Sequence, residues 1–333
     1  KKISLFGNIG DNSTKYINGF KNETEYFTNS EKNNFLYENG ERNSERNSNY
    51  YNGGVEYFFN EKTSFVASFV NNSSDGLTNT SNLIDQTFDN INSLSERLED
   101  ENEIDENKEF SFNFSKKFND KGHELTIDYQ KEKSFEIESS SILNSKLKPI
   151  YERYLSEKIT TDENQNSELY KIDYVLPIGE EGQFEAGFRR SNQHQKIDYL
   201  VEKEDNLGNY ISDINLSNTL LYNEKVNAYY TQYGNKKNNF FFSFCLRFEQ
   251  SITNVTQVVN GDNTKKKYTQ LFLTLNLALE LKEDETITLG YNRRIRRARS
   301  YFINPFPSRS SITNIFQGNP NIEPTYSNGI DLG

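Results

Sequence analysis

Three observations predict an all-β protein built as an antiparallel transmembrane β-barrel. Apolar and polar residues alternate with period 2, as where Leu271, Leu273, Leu275, Leu277, Leu279 and Leu281 are set against Thr274, Asn276 and Glu280. That is the pattern of a strand with one apolar face. The runs are joined by connections that are alternately tight and long. Because antiparallel strands reverse direction, every tight turn then lies at one end of the sheet and every long connection at the other, the arrangement of short periplasmic turns and long extracellular loops in outer-membrane barrels. A soluble β-sandwich also alternates apolar and polar residues, but nothing in it sorts loop lengths to one end. The 25 Phe and 21 Tyr among 333 residues supply strand-forming side chains.

Taken in order, residues 2–9 read as a first strand, followed by an Asn-rich loop reaching to about residue 49. Residues 51–59 and 64–72 form a hairpin through Asn60-Glu61-Lys62. Residues 73–108 read as an acidic loop, with 88–98 a short helix in the weaker reading. Phe110, Phe112 and Phe114 open the next strand, which turns at Asn119 to Gly122 into Leu125, Ile127 and Tyr129. After a polar loop over 134–167 come Tyr170, Ile172, Tyr174 and Leu176, a turn from Gly179 to Gly182, then Phe184, Ala186 and Phe188. Residues 194–223 are a further long connection; Val226, Ala228 and Tyr230 then lead through Gly234 to Asn238 into the run Phe240 to Phe248. The leucine strand follows, turns at Lys282-Glu283-Asp284, and gives Ile287, Leu289 and Tyr291. The count is about eleven strands, with one more beginning near Tyr326. No Met is present and both ends read as strand, so the expectation is a single barrel domain over 1–333 that is incomplete at both ends.

A net charge of −11 and a pI near 5.0 argue against a nucleic-acid partner, which demands a basic surface. Lys265 to Lys267 read as a solvated loop. One cysteine, Cys245, excludes an internal disulfide framework, and His123 and His194 give a histidine metal site or a Ser-His-Asp hydrolase little to build on. Neither the 162–166 nor the 202–206 carboxylate segment has calcium-loop spacing. No cofactor, metal or enzymatic activity is expected. Mean hydropathy is −0.87 and no run reaches a transmembrane helix, yet a barrel strand needs only alternate apolar residues over about 9 to 11 positions.

The most distinctive stretch closes the chain. A strand ends in Tyr291, Arg293 and Arg294; then come Asn304-Pro305-Phe306, Gly318-Asn319-Pro320 and Pro324. Four prolines in this stretch make a long but stiff connection. The motif series resembles the barrel of TonB-dependent outer-membrane receptors, specifically the outer membrane protein beta-barrel family, with Ala298 where the family usually places a proline. The resemblance implies a barrel of about 22 strands, an N-terminal plug domain missing from this sequence, and gated import of a siderophore, oligosaccharide, peptide or similar nutrient driven by a TonB-type energising protein. The alternative is a non-transporting barrel that serves as a scaffold, bound to a surface lipoprotein or other outer-membrane subunits.

The polar face of the strands carries Lys171, Asp173, Glu185, Arg189, Arg247, Glu249, Asn276 and Glu280. So many charges need a wide lumen filled by water or a plug. Extending the parity of Leu289 and Tyr291 sends Arg293 and Arg297 outward to outer-leaflet lipid phosphates, and Arg294 and Arg296 inward, where with Arg247 and Arg189 they would face ligand or plug. Tyr57, Phe118, Tyr129, Phe135, Tyr222 and Tyr233 fit an interfacial girdle, or ligand stacking.

Overall fold

A computed structural model describes residues 2–28, 31–88, 91–259, 261–282, 285–307 and 315–333. The strands are β1 (Ile3–Thr28), β2 (Glu31–Asn60), β3 (Thr63–Phe88), β4 (Ile91–Lys117), β5 (Glu124–Lys148), β6 (Glu152–Arg153), β7 (Glu157–Ile178), β8 (Gly182–Glu204), β9 (Tyr210–Ser212), β10 (Asn218–Lys237), β11 (Phe240–Gln257), β12 (Asp262–Lys282), β13 (Glu285–Arg296) and β14 (Thr325–Leu332). A single helical turn, α1 (Ser300–Ile303), lies between the last two. All strands belong to one antiparallel sheet of order β1-β2-β3-β4-β5-β7-β8-β10-β11-β12-β13-β14, with β6 on β5 and β9 on β8. Among the described residues β1 and β14 are its two edges and do not pair, so the sheet is open.

The turns at Asn60 to Lys62, Asn119 to Gly122 and Gly179 to Glu181 lie where the sequence places them, whereas the expected turn from Gly234 narrows to Asn238 and Asn239 because Gly234 to Lys237 still pair in β10. Asn60 Oδ1 accepts from the Lys62 amide at 2.9 Å, and Asn119 Oδ1 from the Lys121 amide at 2.9 Å and the His123 amide at 3.2 Å. These are side-chain-closed turns of the kind Asn favours. Gly122 and Gly179 take positive φ, 90° and 69°, where a side chain would be strained. Glu283 and Asp284 of the expected turn after β12 lie outside the described residues.

The long connections differ from expectation. Most of residues 10–49 form the outer halves of β1 and β2, and residues 73–88 and 91–108 the outer halves of β3 and β4, so the weaker helical reading of 88–98 is strand at its described residues 88 and 91–98, with 89 and 90 outside the described residues. The same holds for most of 134–167 and 194–223. These are hairpin extensions rather than irregular loops. The ladder simply continues, Glu45 opposite Leu77 and Leu77 opposite Asn102. The backbone ladder runs on between neighbouring strands, and side chains with water on both sides need no apolar alternation. At about 3.4 Å per residue, the 30 residues of β2 span about 100 Å, several times an apolar band of about 25 Å.

That band is confined to the turn-proximal third of the sheet. Register places Tyr57, Phe65, Phe114, Ile127, Ile172, Phe188, Tyr229, Phe248 and Leu271 in one continuous row on a single face. Its rings interlock, Phe188 and Tyr229 at 5.0 Å. Ile127, Ile172, Tyr229 and Leu271 are exposed, as a face made for lipid requires. The opposite face carries the polar partners of these residues, so the leucine strand divides cleanly. Leu275 sits beside Phe244 and Tyr291 on the apolar face, whereas Asn276 sits beside Ser243 and Gly290 on the other. Leu275→Arg is therefore expected to cost about 2–4 kcal/mol in a bilayer and Asn276→Arg much less; equal losses in folding titrations into lipid vesicles would refute the assignment of faces.

Candidate functional site

Above the apolar band, the polar face is organised around the segment after β13. β13 follows β12 only as far as Asn292 opposite Thr274, then stays paired with β14 alone. Freed from β12, the chain folds back over the polar face of β8, β10, β11 and β12. Ile303 and Phe306 are buried against Ile197, Leu220, Tyr222 and Val255, with Tyr199 stacked on Phe306 at 5.3 Å and bonded to the Pro307 carbonyl at 3.2 Å.

The proline motifs hold this return in shape. Asn304 Oδ1 accepts from the Phe306 amide at 3.0 Å; the Gly318 amide donates to the Asn304 carbonyl at 2.8 Å and the Asn319 amide to the Phe302 carbonyl at 2.8 Å. A Cβ at Gly318 would lie 2.3 Å from the Asn304 oxygen, so only glycine allows the two motifs to meet. Lys266 donates to the Ile322 carbonyl at 2.9 Å and pairs with Glu323 at 3.2 Å, while the Tyr268 hydroxyl donates to Glu323 at 2.7 Å. Lys266 is thus an anchor for the returning segment and not a solvated loop lysine. Reading the 265–267 run by charge alone missed it, and the alternation with Thr264 and Tyr268 was the signal that could have found it.

Beneath the segment lies an ion-pair network. Arg297 bonds Glu249 and approaches Glu224 at 3.7 Å, and Arg247 donates to the same Glu249 at 2.7 Å. Glu249 is buried between its two guanidinium partners. Burial pulls the Arg297 guanidinium below its ordinary value, partly offset by Glu224, and burial then Glu224 push the Tyr222 phenol up. The Arg297 Nε, turned into the wall, is left without a hydrogen-bond partner.

The arginines do not divide as parity predicts. Arg297 meets Glu249 and Glu224 on the polar face, and Arg293 donates to Gln270, a polar-face residue opposite Glu249, at 3.4 Å while covering the Tyr326 ring at 5.7 Å. The strand has left its neighbour by then, so the parity of Tyr291 no longer fixes direction. Arg294 and Arg296 are exposed and form no ion pair among the described residues. Arg247 and Arg189 lie on the polar face, Arg189 beside a recess of about 200 Å³ that also meets Glu109, Glu132 and Glu224. Tyr222, read as a girdle residue, is buried under Ile303 instead.

A second sector of the polar face, on β4, β5 and β7, is acidic. Register brings Glu103 opposite Glu138, and Asp105 opposite Glu136, which in turn faces Glu163. Carboxylate oxygens of Glu103, Asp105 and Glu136 come within 4.8 Å of one another. Arg46 from β2 pairs with Glu103 at 3.0 Å and with Asp105, and Arg42 reaches Glu101 at 3.4 Å. Two arginines leave this sector strongly negative. Burial, and then Glu163 and Asp105, lift the Glu136 carboxyl to about 7; burial, and then Glu101 and Glu103, do the same for Glu138.

Residues 116–333 match the outer membrane protein beta-barrel family. The chain belongs to that family. It is accordingly a protein of the Gram-negative outer membrane, and the apolar face of its sheet meets lipid while the polar face lines the lumen. A search of curated proteins finds no significant match. Among solved structures, the ferric citrate transporter FecA in its unliganded form aligns over 87% of this chain and 44% of its own, at 10% identity and a TM-score of 0.41. The translocator domain of the autotransporter NalP from Neisseria meningitidis aligns over 88% and 82%, at 11% identity and 0.24, and the outer membrane protease OmpT from Escherichia coli over 87% and 94%, at 11% and 0.23. The chain spans less than half the length of FecA.

Two predictions follow from the lumen wall. Glu249→Gln removes the charge shared by Arg247 and Arg297 and is expected to cost about 1–3 kcal/mol, read as a lower unfolding midpoint with faster amide exchange at Ile303 and Phe306; an unchanged exchange rate would sink this account of the network. For Glu136 and Glu138 the folded state holds its protons up to about 7, above the ordinary carboxylate value. Their stabilisation is therefore complete below the unfolded value and lost as pH rises through 7. The outer halves of β4, β5 and β7 should exchange more slowly near pH 5 than near pH 8 once intrinsic rates are divided out, and Glu138→Gln should reduce the difference.

Proposed function

We propose that this chain is the barrel portion of a TonB-dependent receptor that imports a nutrient too large or too scarce to enter by a porin. The observation that carries the reading is the lumen wall. Among the described residues twelve strands form the main path of an open sheet whose polar face carries charges in and above the apolar band. Edges left unpaired in lipid are costly, so the sheet belongs in a wider ring. A ring that wide has room for a plug, and the exposed Arg294 and Arg296 stand at its mouth as contacts for ligand or plug.

The motif series from Asn304 to Pro324 supports the same reading, since the returning segment narrows the lumen above the membrane. In this reading the full-length protein takes up its nutrient only when a TonB-type partner is energised. The barrel freed of its plug conducts ions steadily across a planar bilayer. Uptake by intact cells that persists after the inner-membrane proton gradient is collapsed would remove the TonB-dependent part. A closed plug-free barrel that co-purifies in fixed ratio with a surface lipoprotein would favour the scaffold instead.

Arg294→Ala with Arg296→Ala is expected to weaken ligand uptake or plug retention while leaving barrel stability unchanged. Equal uptake and retention in this double variant and the unaltered protein would remove these two residues from the site.

A further inference from the structure

The outward face carries a groove that the lumen-centred reading leaves unused. It measures about 490 Å³ and lies across β5, β7 and β8, bordered by Ile127, Tyr129, Tyr170, Ile172, Phe188 and Arg190. Register orders these residues by height. Ile127, Ile172 and Phe188 form the last fully apolar row at this point of the sheet. Tyr129, Tyr170 and Arg190 form the row above it. The tyrosines continue an aromatic ladder from Phe112, with centroid separations of 6.1 and 4.9 Å, and such rings settle at headgroup depth. Arg190 therefore stands where hydrocarbon gives way to phosphate.

Its partners leave it open to an anion. Among the described residues Arg190 has no carboxylate within ion-pair distance, and its Nε donates to Asn192 Oδ1 at a long 3.4 Å. The acid on this rim, Glu168, is held by Lys131 at 3.2 Å and by the Tyr170 hydroxyl at 3.4 Å. A half-buried guanidinium at the edge of an apolar band, with the nearby acid already ion-paired to Lys131, has the charge and the planar donor geometry for a phosphate.

We propose that this groove seats one phosphorylated lipid of the outer leaflet, with an acyl chain along Ile127, Ile172 and Phe188 and the phosphate on Arg190. The site rests on the outer-membrane location and not on transport, so it stands if the uptake reading fails. The adjacent Arg189 supplies the control, because its side chain leaves the same strand on the lumen face.

The full-length protein and its Arg190→Gln, Arg190→Lys and Arg189→Gln forms would be purified into micelles of a phosphate-free maltoside detergent doped with monophosphoryl lipid A or its dephosphorylated counterpart, and the retained glycolipid measured by native mass spectrometry. Folding would be checked by heat-dependent gel mobility. The unaltered protein and Arg189→Gln should retain the phosphorylated lipid, Arg190→Gln about tenfold less, and Arg190→Lys an intermediate amount; the dephosphorylated lipid should be retained weakly by all. Equal retention by Arg190→Gln and Arg189→Gln would overturn the site. So would displacement of the lipid by inorganic phosphate as complete as that by competing phosphorylated lipid, which would leave an anion contact without a lipid groove.

Discussion

Backbone hydrogen bonding in lipid is the constraint on which this structure depends. Within a bilayer an amide has no water to turn to, so each strand must pair along its membrane-spanning length. From β1 to β14 the main path of the sheet does so without a crossover, each strand beside the next in sequence apart from the short β6 and β9. Conventional core packing contributes little. Among the described residues the buried apolar clusters are two small groups, both on the lumen side and away from the apolar band. Tight turns fix the register at one end, and register fixes everything above it. A slip of one residue would turn the leucine row of β12 into the lumen.

This explains which parts of the fold were legible in the sequence. In the band one face meets hydrocarbon and the other meets water, so the period-2 pattern is strong, and Phe110 to Phe114 or Leu271 to Leu281 could be read directly. Above the band both faces meet water. Asn, Ser, Thr and Glu then satisfy either face equally, and residues 10–49 carry no period although residues 10–28 and 31–49 are in strand. The ladder, which is invisible in side-chain pattern, extends strands that composition reads as loops.

The lumen site was legible in its parts and not in its assembly. Asn304-Pro305-Phe306 and Gly318-Asn319-Pro320 stand out by proline and glycine content, but that they clasp each other follows from a backbone contact at Gly318 that only the fold reveals. The arginine cluster went astray for a related reason. Parity is a property of a paired strand, and β13 loses its partner on β12 after Asn292. From there the nearest uncompensated carboxylates direct the chain. Glu249 and Glu224 lie on the lumen face, and once Arg297 is drawn into this wall they partly offset the cost of burying its charge. Arg293 and Arg297 therefore turn in, and the outward phosphate level is left to Arg190, which still sits in a fully paired strand.

The lumen charge is also unevenly distributed, and this sets what can approach. On β4, β5 and β7 the row from Glu101 to Asp105 lies beside Glu136, Glu138 and Glu163, with Arg42 and Arg46 the only basic ion-pair partners among the described residues, whereas Glu249 on β11 is matched by Arg247 and by Arg297 just beyond β13. The acidic sector lies in the tall extensions, above the apolar band, so its field acts outside membrane depth. Exposed charges are screened beyond about 10 Å at moderate salt, but carboxyls half-buried in a shared wall are screened less. Two of them sit near neutrality in their titration, so the wall can shed part of its own repulsion by taking up protons. In the uptake reading, an anionic solute entering along this side meets repulsion that weakens as pH falls, while one entering beside Glu249 meets a network whose charges are already paired.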